Sequence, residues 1–161
     1  MELMRLAELV GTALQRRGLM LATAESCTGG WVAQVVTSVP GSSQWFERGF
    51  VTYSNSAKQE MLGVSAATLE QYGAVSEETA AEMVTGALSY SHAQITLAVS
   101  GIAGPDGGSL EKPVGTMCLA WGLKGQPVVT RRLRLPGARQ EVRRQAVIYA
   151  LNGLLELLGD E

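Results

Sequence analysis

The stretch Thr23-Ala24-Glu25-Ser26-Cys27-Thr28-Gly29-Gly30 sets a hydroxyl beside a thiol, at the end of an apolar run and just before a segment with helical spacing. A turn from strand to helix leaves backbone N–H groups free at the positive end of the helix dipole. Either side chain can therefore serve as a nucleophile, with the surrounding N–H groups of Cys27, Thr28, Gly29 and Gly30 holding an oxyanion. The same residues also read as an ordinary Ser/Thr helix cap beside a small buried cysteine. The glycine pair removes side-chain bulk where a ligand would meet the backbone.

A hydroxyl nucleophile needs a base, and the inventory is short. His92 is the only histidine and Asp106 the only aspartate ahead of the carboxy-terminal tail, so a Ser/His/Asp triad has one possible composition. His92 falls in Ser89-Tyr90-Ser91-His92 just past a helical segment, the setting of a solvated residue that complements the helix dipole. Lysine is then the type to weigh, because ten of the thirteen basic residues are arginines that stay protonated. Lys124 sits in a hairpin turn and Lys112 between Glu111 and Pro113, both expected to be solvated. Lys58 differs, lying after a strand in the first turn of a short helix, where a cation opposes the dipole and tends to lose its proton. It reads either as a general base or as a surface lysine. Tyr53 and Asn55, in the same stretch, can relay a proton or hold an amide, or can be a packed ring and a turn residue.

Two further groups concern binding. Ser100 to Ser109 holds four glycines in ten residues after an apolar strand, and such a loop, with Gly101 and Gly104 at its start, can cradle an anion or a planar ring. It lacks the ending of a P-loop and the spacing of a dinucleotide fingerprint. Six arginines crowd the fourteen positions from Arg131 to Arg144. They read as a solvated charged face, except that Arg139, next to Gly137 at the start of the last helix, is placed to share a phosphate with helix N–H groups.

The elements that must position these groups follow from periodicity and breakers. Leu3, Leu6, Val10, Ala13 and Leu14 mark a helix ending at Gly18. Leu19–Ala24 predicts a strand, and Trp31, Val32, Val35 and Val36 a second helix before Pro40-Gly41. Phe50–Tyr53 predicts another strand, with short helices over Ser56–Leu62 and Ala66–Tyr72. Ser76 followed by Glu77 and Glu78 starts a further helix. Ile95–Val99 reads as a buried strand, Thr116–Leu123 and Val128–Leu135 as an antiparallel hairpin, and Arg139 to Leu158 as the final helix. This order predicts an α/β layered domain, a mixed sheet covered by helices, over the whole of residues 1–161.

Composition bounds the function. The 161 residues are 46% apolar and 17% charged, with a formal net charge of −2. That length supports one core without disulfides or a structural metal, and the balance of charge argues against a general nucleic-acid binder. Two cysteines, one histidine and two aspartates leave little for a metal cage, so no metal or cofactor is expected. No apolar run reaches the ~20 residues of a membrane span, and the mixed segment from Met1 to Arg17 lacks the pattern of a signal peptide. The expected location is the cytoplasm. No nucleic acid or membrane is expected as a partner.

Five ordered blocks then carry a resemblance. Ala24-Glu25-Ser26-Cys27-Thr28-Gly29-Gly30, Tyr53-Ser54-Asn55 with Ala57-Lys58, Gly73-Ala74-Val75-Ser76, Ser100-Gly101-Ile102-Ala103-Gly104-Pro105 and Lys112-Pro113-Val114-Gly115-Thr116 resemble the CinA carboxy-terminal domain family across nearly the whole chain. The likeness is to the stand-alone form, without the larger amino-terminal domain that some members carry. It implies hydrolytic deamidation of nicotinamide mononucleotide to nicotinate mononucleotide and ammonia, in pyridine-nucleotide salvage. It further implies a metal-independent serine amidase whose Ser/Lys pair falls on Ser26 and Lys58. One departure stands out: members commonly show Gly-Asp-Arg where this chain has Gly137-Ala138-Arg139. A non-catalytic nucleotide-binding module and an amidase with Cys27 as nucleophile are the alternatives.

Overall fold

The computed structural model describes residues 2–159; Met1, Asp160 and Glu161, which the expected domain of 1–161 includes, lie outside the described residues. The chain runs α1 (Glu2–Arg17), β1 (Leu21–Glu25), α2 (Trp31–Thr37), a 3₁₀ turn at Ser42–Gln44, β2 (Phe46–Val51), α3 (Asn55–Leu62), α4 (Ala66–Tyr72), α5 (Glu77–Ser89), β3 (Ile95–Gly101), β4 (Thr116–Leu123), β5 (Val129–Arg134) and α6 (Arg139–Leu158). The five strands form one sheet in the order β2-β1-β3-β4-β5. β2, β1 and β3 are parallel, and β4 and β5 return antiparallel. This is the mixed sheet between helices that the element order predicts.

Helices cover both faces, and strand alternation decides which. Leu21, Ile95, Leu97, Val99, Met117, Leu119 and Trp121 point into a core closed by α1, α2 and α6. The opposite face presents Ala24, Ala98, Cys118 and Ala120 to α5. Large residues thus hold one helical layer off the sheet, while small ones let α5 lie close. Each fully buried Leu or Ile contributes about 1.5–3 kcal/mol, which is why a single sheet sandwiched this way is stable. The closeness continues sideways. A methyl added at Gly86 of α5 would stand 1.9 Å from the carbonyl oxygen of Leu62, so α3 and α5 meet backbone to backbone.

Most boundaries agree with the sequence reading, and the exceptions have physical causes. β2 runs Phe46–Val51, where the sequence predicts Phe50–Tyr53. It is an edge strand whose Arg48, Gly49 and Val51 are exposed, so it shows no apolar run. β1 starts two residues later than its apolar run, and β5 is a residue shorter at each end than expected. The 3₁₀ turn at Ser42–Gln44 has no predicted counterpart. The Ser76 cap stands where the sequence places it, accepting a backbone N–H at the start of α5, and Ser54 and Ser65, which the sequence reading does not single out, do the same for α3 and α4.

Candidate active site

Parallel pairing brings the candidate residues together. β1, β2 and β3 all end at one edge of the sheet, with Glu25 level with Val51 and Val99. Backbone bonds extend this register: Ser26 N–H donates to Val99 O (2.9 Å) and Thr52 N–H to Glu25 O (2.8 Å). Ser26, Tyr53 and the Gly101 loop therefore leave the sheet side by side, at the point where the connections from β1 and β3 diverge, a common location for ligand sites in such sheets.

After β2 the chain turns back through the Ser54 cap into α3, which carries Lys58 inward. Lys58 is only 1% exposed. Its Nζ lies 3.0 Å from Ser26 Oγ, 3.0 Å from the carbonyl oxygen of Thr52 and 3.3 Å from that of Tyr53. Burial pushes the Lys58 pKa below its ordinary value. An ammonium donates to all three acceptors. A neutral amine gives its two hydrogens to the carbonyls and turns its lone pair to Ser26 Oγ, the arrangement of a general base with its nucleophile.

Ser26 opens a tight turn closed by Gly29 N–H donating to Ser26 O (3.0 Å). Trp31 N–H donates to Thr28 O (3.0 Å). The N–H of Cys27, which follows the hydroxyl residue, makes no backbone–backbone hydrogen bond among the described residues. Gly29 and Gly30 both have positive φ (59° and 101°), a conformation that side chains rarely adopt. Glu25, not a hydroxyl, caps α2. Its buried carboxylate accepts from Val32 N–H (2.9 Å) and Ala33 N–H (3.0 Å) and from the Thr28 hydroxyl (2.6 Å). Gly30, the residue before α2, has no side chain to cap with, which corrects the Ser/Thr cap reading.

The thiol is placed differently from the hydroxyl. Cys27 Sγ is buried against Met117 Sδ at 3.4 Å, and burial pushes its pKa up to about 12. A thiol held protonated at neutral pH is a poor nucleophile.

Beyond the turn lies a cavity of about 230 Å³, rimmed by Cys27, Tyr53, Gly101, Gly104, Asp106 and Arg139 among others. Arg139 Nη1 donates to Gly104 O (2.8 Å), and Nη2 lies 3.4 Å from the Tyr53 hydroxyl. The guanidinium thus ties the glycine loop to the segment between β2 and α3. Larger hollows of about 440 and 310 Å³ lie over α3–α5 and beside Trp121, where no nucleophile with an adjacent base is found.

Of the expected site residues, Ser26, Thr28, Gly29, Gly30, Asn55 and Lys58 are not among those lining this cavity. The Thr28 side chain is fully buried on Glu25, and Asn55 is exposed at the start of α3, away from the cavity lining. His92 is exposed ahead of β3, on the far side of a seven-residue strand that spans about 20 Å, which separates it from Ser26. Lys112 also departs from the solvated expectation: it is half-buried and donates to the carbonyl of Tyr72.

Sequence reasoning overlooked Arg143, whose Nε donates to Cys27 O (3.0 Å) and whose Nη2 donates to Thr28 O (3.2 Å). The available signal is its spacing of four from Arg139, which puts both on one face of α6. Asp106, weighed only as a triad member, is the carboxylate on the cavity wall. Among the described residues no group of three or more His, Cys, Asp or Glu side chains is arranged to hold a metal, and no helix is long and apolar enough to cross a membrane.

Comparison with known proteins gives consistent matches. The family described as CinA C-terminal domain matches residues 3–158. The nicotinamide-nucleotide amidohydrolase PncC of Escherichia coli (strain K12) is 58% identical over 153 residues, covering 95% of this chain and 93% of that protein. The protein of the same name from Pseudomonas putida is 54% identical over 152 residues, 94% of each. Among solved structures, the competence/damage inducible protein CihA from Agrobacterium tumefaciens superposes with a TM-score of 0.95 at 46% identity, over 98% of this chain and 96% of that one.

Proposed function

Because the chain belongs to the CinA C-terminal domain family, we propose that it hydrolyses the carboxamide of nicotinamide mononucleotide to nicotinate mononucleotide and ammonia, with Ser26 as nucleophile and Lys58 as general base. The observation that carries this reading is the 3.0 Å approach of Lys58 Nζ to Ser26 Oγ, with two carbonyls to take the hydrogens of a neutral amine. The names of the relatives, nicotinamide-nucleotide amidohydrolase, support a nicotinamide nucleotide as the substrate.

The reaction runs in two halves. Neutral Lys58 takes the Ser26 proton as Oγ attacks the carboxamide carbon, and the oxygen of the resulting tetrahedral centre takes the negative charge. Backbone donors of the turn, the Cys27 N–H first among them, hold that oxyanion. The C–N bond then breaks, the Lys58 proton passes to the departing nitrogen, and ammonia leaves. Lys58, neutral again, deprotonates a water that attacks the Ser26 ester, and nicotinate mononucleotide is released with the hydroxyl restored.

The cavity is smaller than the usual ligand pocket of about 300–1,000 Å³, so it takes the pyridine carboxamide and leaves the ribosyl phosphate to the rim. There Arg139 is the cationic group for phosphate, Asp106 is an acceptor for ribose hydroxyls, and the backbone of Gly101 and Gly104 lies against the ring. Tyr53 contributes its carbonyl to Lys58 and its hydroxyl to the Arg139 side of the rim. This activity belongs to pyridine-nucleotide salvage in the cytoplasm, carried by a single domain acting as a homodimer.

The test is ammonia release from nicotinamide mononucleotide, nicotinamide riboside, NAD and free nicotinamide. Release from the mononucleotide, with nicotinate mononucleotide identified by mass, is the expected result. Tight binding of the mononucleotide without ammonia would return the chain to the class of nucleotide-binding modules.

A further inference from the structure

Three bonds converge on the Arg143 guanidinium, and none of them is to an acid. Nε donates to Cys27 O (3.0 Å), Nη2 to Thr28 O (3.2 Å) and Nη1 to the Gln140 side chain (2.7 Å), while the group lies 5.5 Å from the Trp31 ring centroid. Two of the acceptors are successive carbonyls of the turn that begins at Ser26. Nη2 is also 3.5 Å from where a side chain on Gly29 would start, so the guanidinium packs on the turn itself.

The stereochemistry of the turn makes this contact consequential. Gly29 N–H bonding to Ser26 O closes a four-residue turn with Cys27 and Thr28 in its centre. In such turns the central peptide, here the one joining Cys27 to Thr28, has two orientations related by a flip, and the flipped one needs positive φ at its second residue. No residue other than glycine has positive φ among the described residues, so the unflipped form is present. A flip would turn the Cys27 carbonyl through about half a revolution, away from Arg143. The peptide before it is pinned by Ser26 O accepting from Gly29, which fixes the direction of the Cys27 N–H by planarity.

We infer that Arg143 is a positioning residue for the proposed amidase, its forked donors holding the Cys27 and Thr28 carbonyls away from the reacting centre, so that no carbonyl of the turn faces the oxyanion held by the Cys27 N–H, which the Ser26–Gly29 bond aims. The inference rests on the amidase reading for its substrate, and on the turn alone for its geometry. A second effect acts in the same direction: a cation bonded to two carbonyls polarises those peptides and strengthens neighbouring donors. Lysine cannot replace the fork, because one ammonium does not reproduce the paired, planar geometry.

The experiment compares Arg143→Lys and Arg143→Met with the parent protein in two assays. One is steady-state ammonia release from nicotinamide mononucleotide across pH. The other is sulfonylation of Ser26 by phenylmethylsulfonyl fluoride, followed by intact mass; there an Oγ–S bond forms, fluoride leaves, and the serine proton passes to Lys58 and solvent. The expected result is a kcat lower by on the order of 100-fold, as for loss of one oxyanion donor. KM should stay within about twofold of the parent, the signature of an interaction made in the transition state. The position of the acid limb of the pH profile should not move, and sulfonylation should slow in parallel. Parental kcat in Arg143→Lys overturns the inference, as does a rise in KM at constant kcat, which would make Arg143 a ligand contact. Losses that match the fall in folded fraction by thermal melting also overturn it, leaving a tether between α6 and the turn. Should Arg143→Met not fold, Arg143→Lys decides. Should the parent release no ammonia, the substrate reading fails separately, and the sulfonylation ratio alone decides the role of Arg143.

Discussion

Ser26 and Lys58, 32 residues apart in the chain, meet at 3.0 Å because β1 and β2 run parallel and end level with each other. The hydroxyl belongs to the residue after β1. The amine returns to it from the first turn of α3, the helix that follows β2. This fixes which neighbour of the pair can do chemistry and which packs.

Ser26→Ala is expected to lower turnover by on the order of 10⁴-fold or more, while nicotinamide mononucleotide still binds. Cys27→Ala should keep most turnover and lose about 1 kcal/mol of stability, since its thiol packs on Met117. Kinetics and calorimetry on the two variants check both statements. The opposite pattern would move the nucleophile to Cys27.

Activity should rise with pH through a group titrating below the ordinary lysine value of about 10.4, because the base is neutral Lys58 and burial lowers its pKa. Lys58→Arg should be inactive at every pH examined, as a guanidinium keeps its proton. A pH–rate profile of kcat/KM measures the first, and near-parental turnover by Lys58→Arg would exclude the lysine as base.

Linkage gives the stability counterpart. A folded pKa below the unfolded one means the native state binds fewer protons, so the Lys58 contribution to stability is complete only above the unfolded value. It declines as pH falls through the window between the two and is fully lost below the folded value. Lys58→Met removes this dependence and should be at least as stable as the parent near neutral pH. Urea denaturation at several pH values tests it, with a steeper loss in Lys58→Met than in the parent on acidification as the contrary outcome.

Arg139→Ala should lower kcat/KM for nicotinamide mononucleotide by the equivalent of about 1.5–3 kcal/mol, the range for a hydrogen bond to a charged group. Nicotinamide riboside, which has no phosphate, should lose less. Equal losses would show that the bond from Arg139 to Gly104 O matters for holding the loop and not for reading phosphate.

Much of this was legible in the residues, and the gaps have causes. The terminal glycines Gly63 and Gly73 located the ends of α3 and α4, and the Ser76 cap the start of α5, since such signals act through adjacent atoms. The strand β2 was displaced in the reading because an exposed edge carries no apolar alternation. Lys58 was read as a lysine depressed by the helix dipole or else as a surface residue; it is buried, and burial is the cause found. Thr28 was read as one of the backbone N–H groups around an oxyanion; that its hydroxyl is taken by Glu25, three residues earlier, was not legible. Arg143 was read into a solvated charged face, because its partners are backbone carbonyls over a hundred positions away, and any sequence supplies carbonyls.

The contact between Gly86 and the carbonyl of Leu62 bears on how the chain tolerates variation. Leu62 ends the short helix that carries Lys58, so the depth to which the amine reaches is gauged by the thickness of another helix. Truncating a side chain elsewhere in α5 leaves a void that neighbours relax into. One methyl at Gly86 acts instead as a wedge, and the backbone it meets belongs to the element bearing the base. Gly86→Ala should therefore reduce turnover beyond what its loss of stability accounts for, even though no atom of Gly86 lines the cavity; turnover corrected for folded fraction measures the excess.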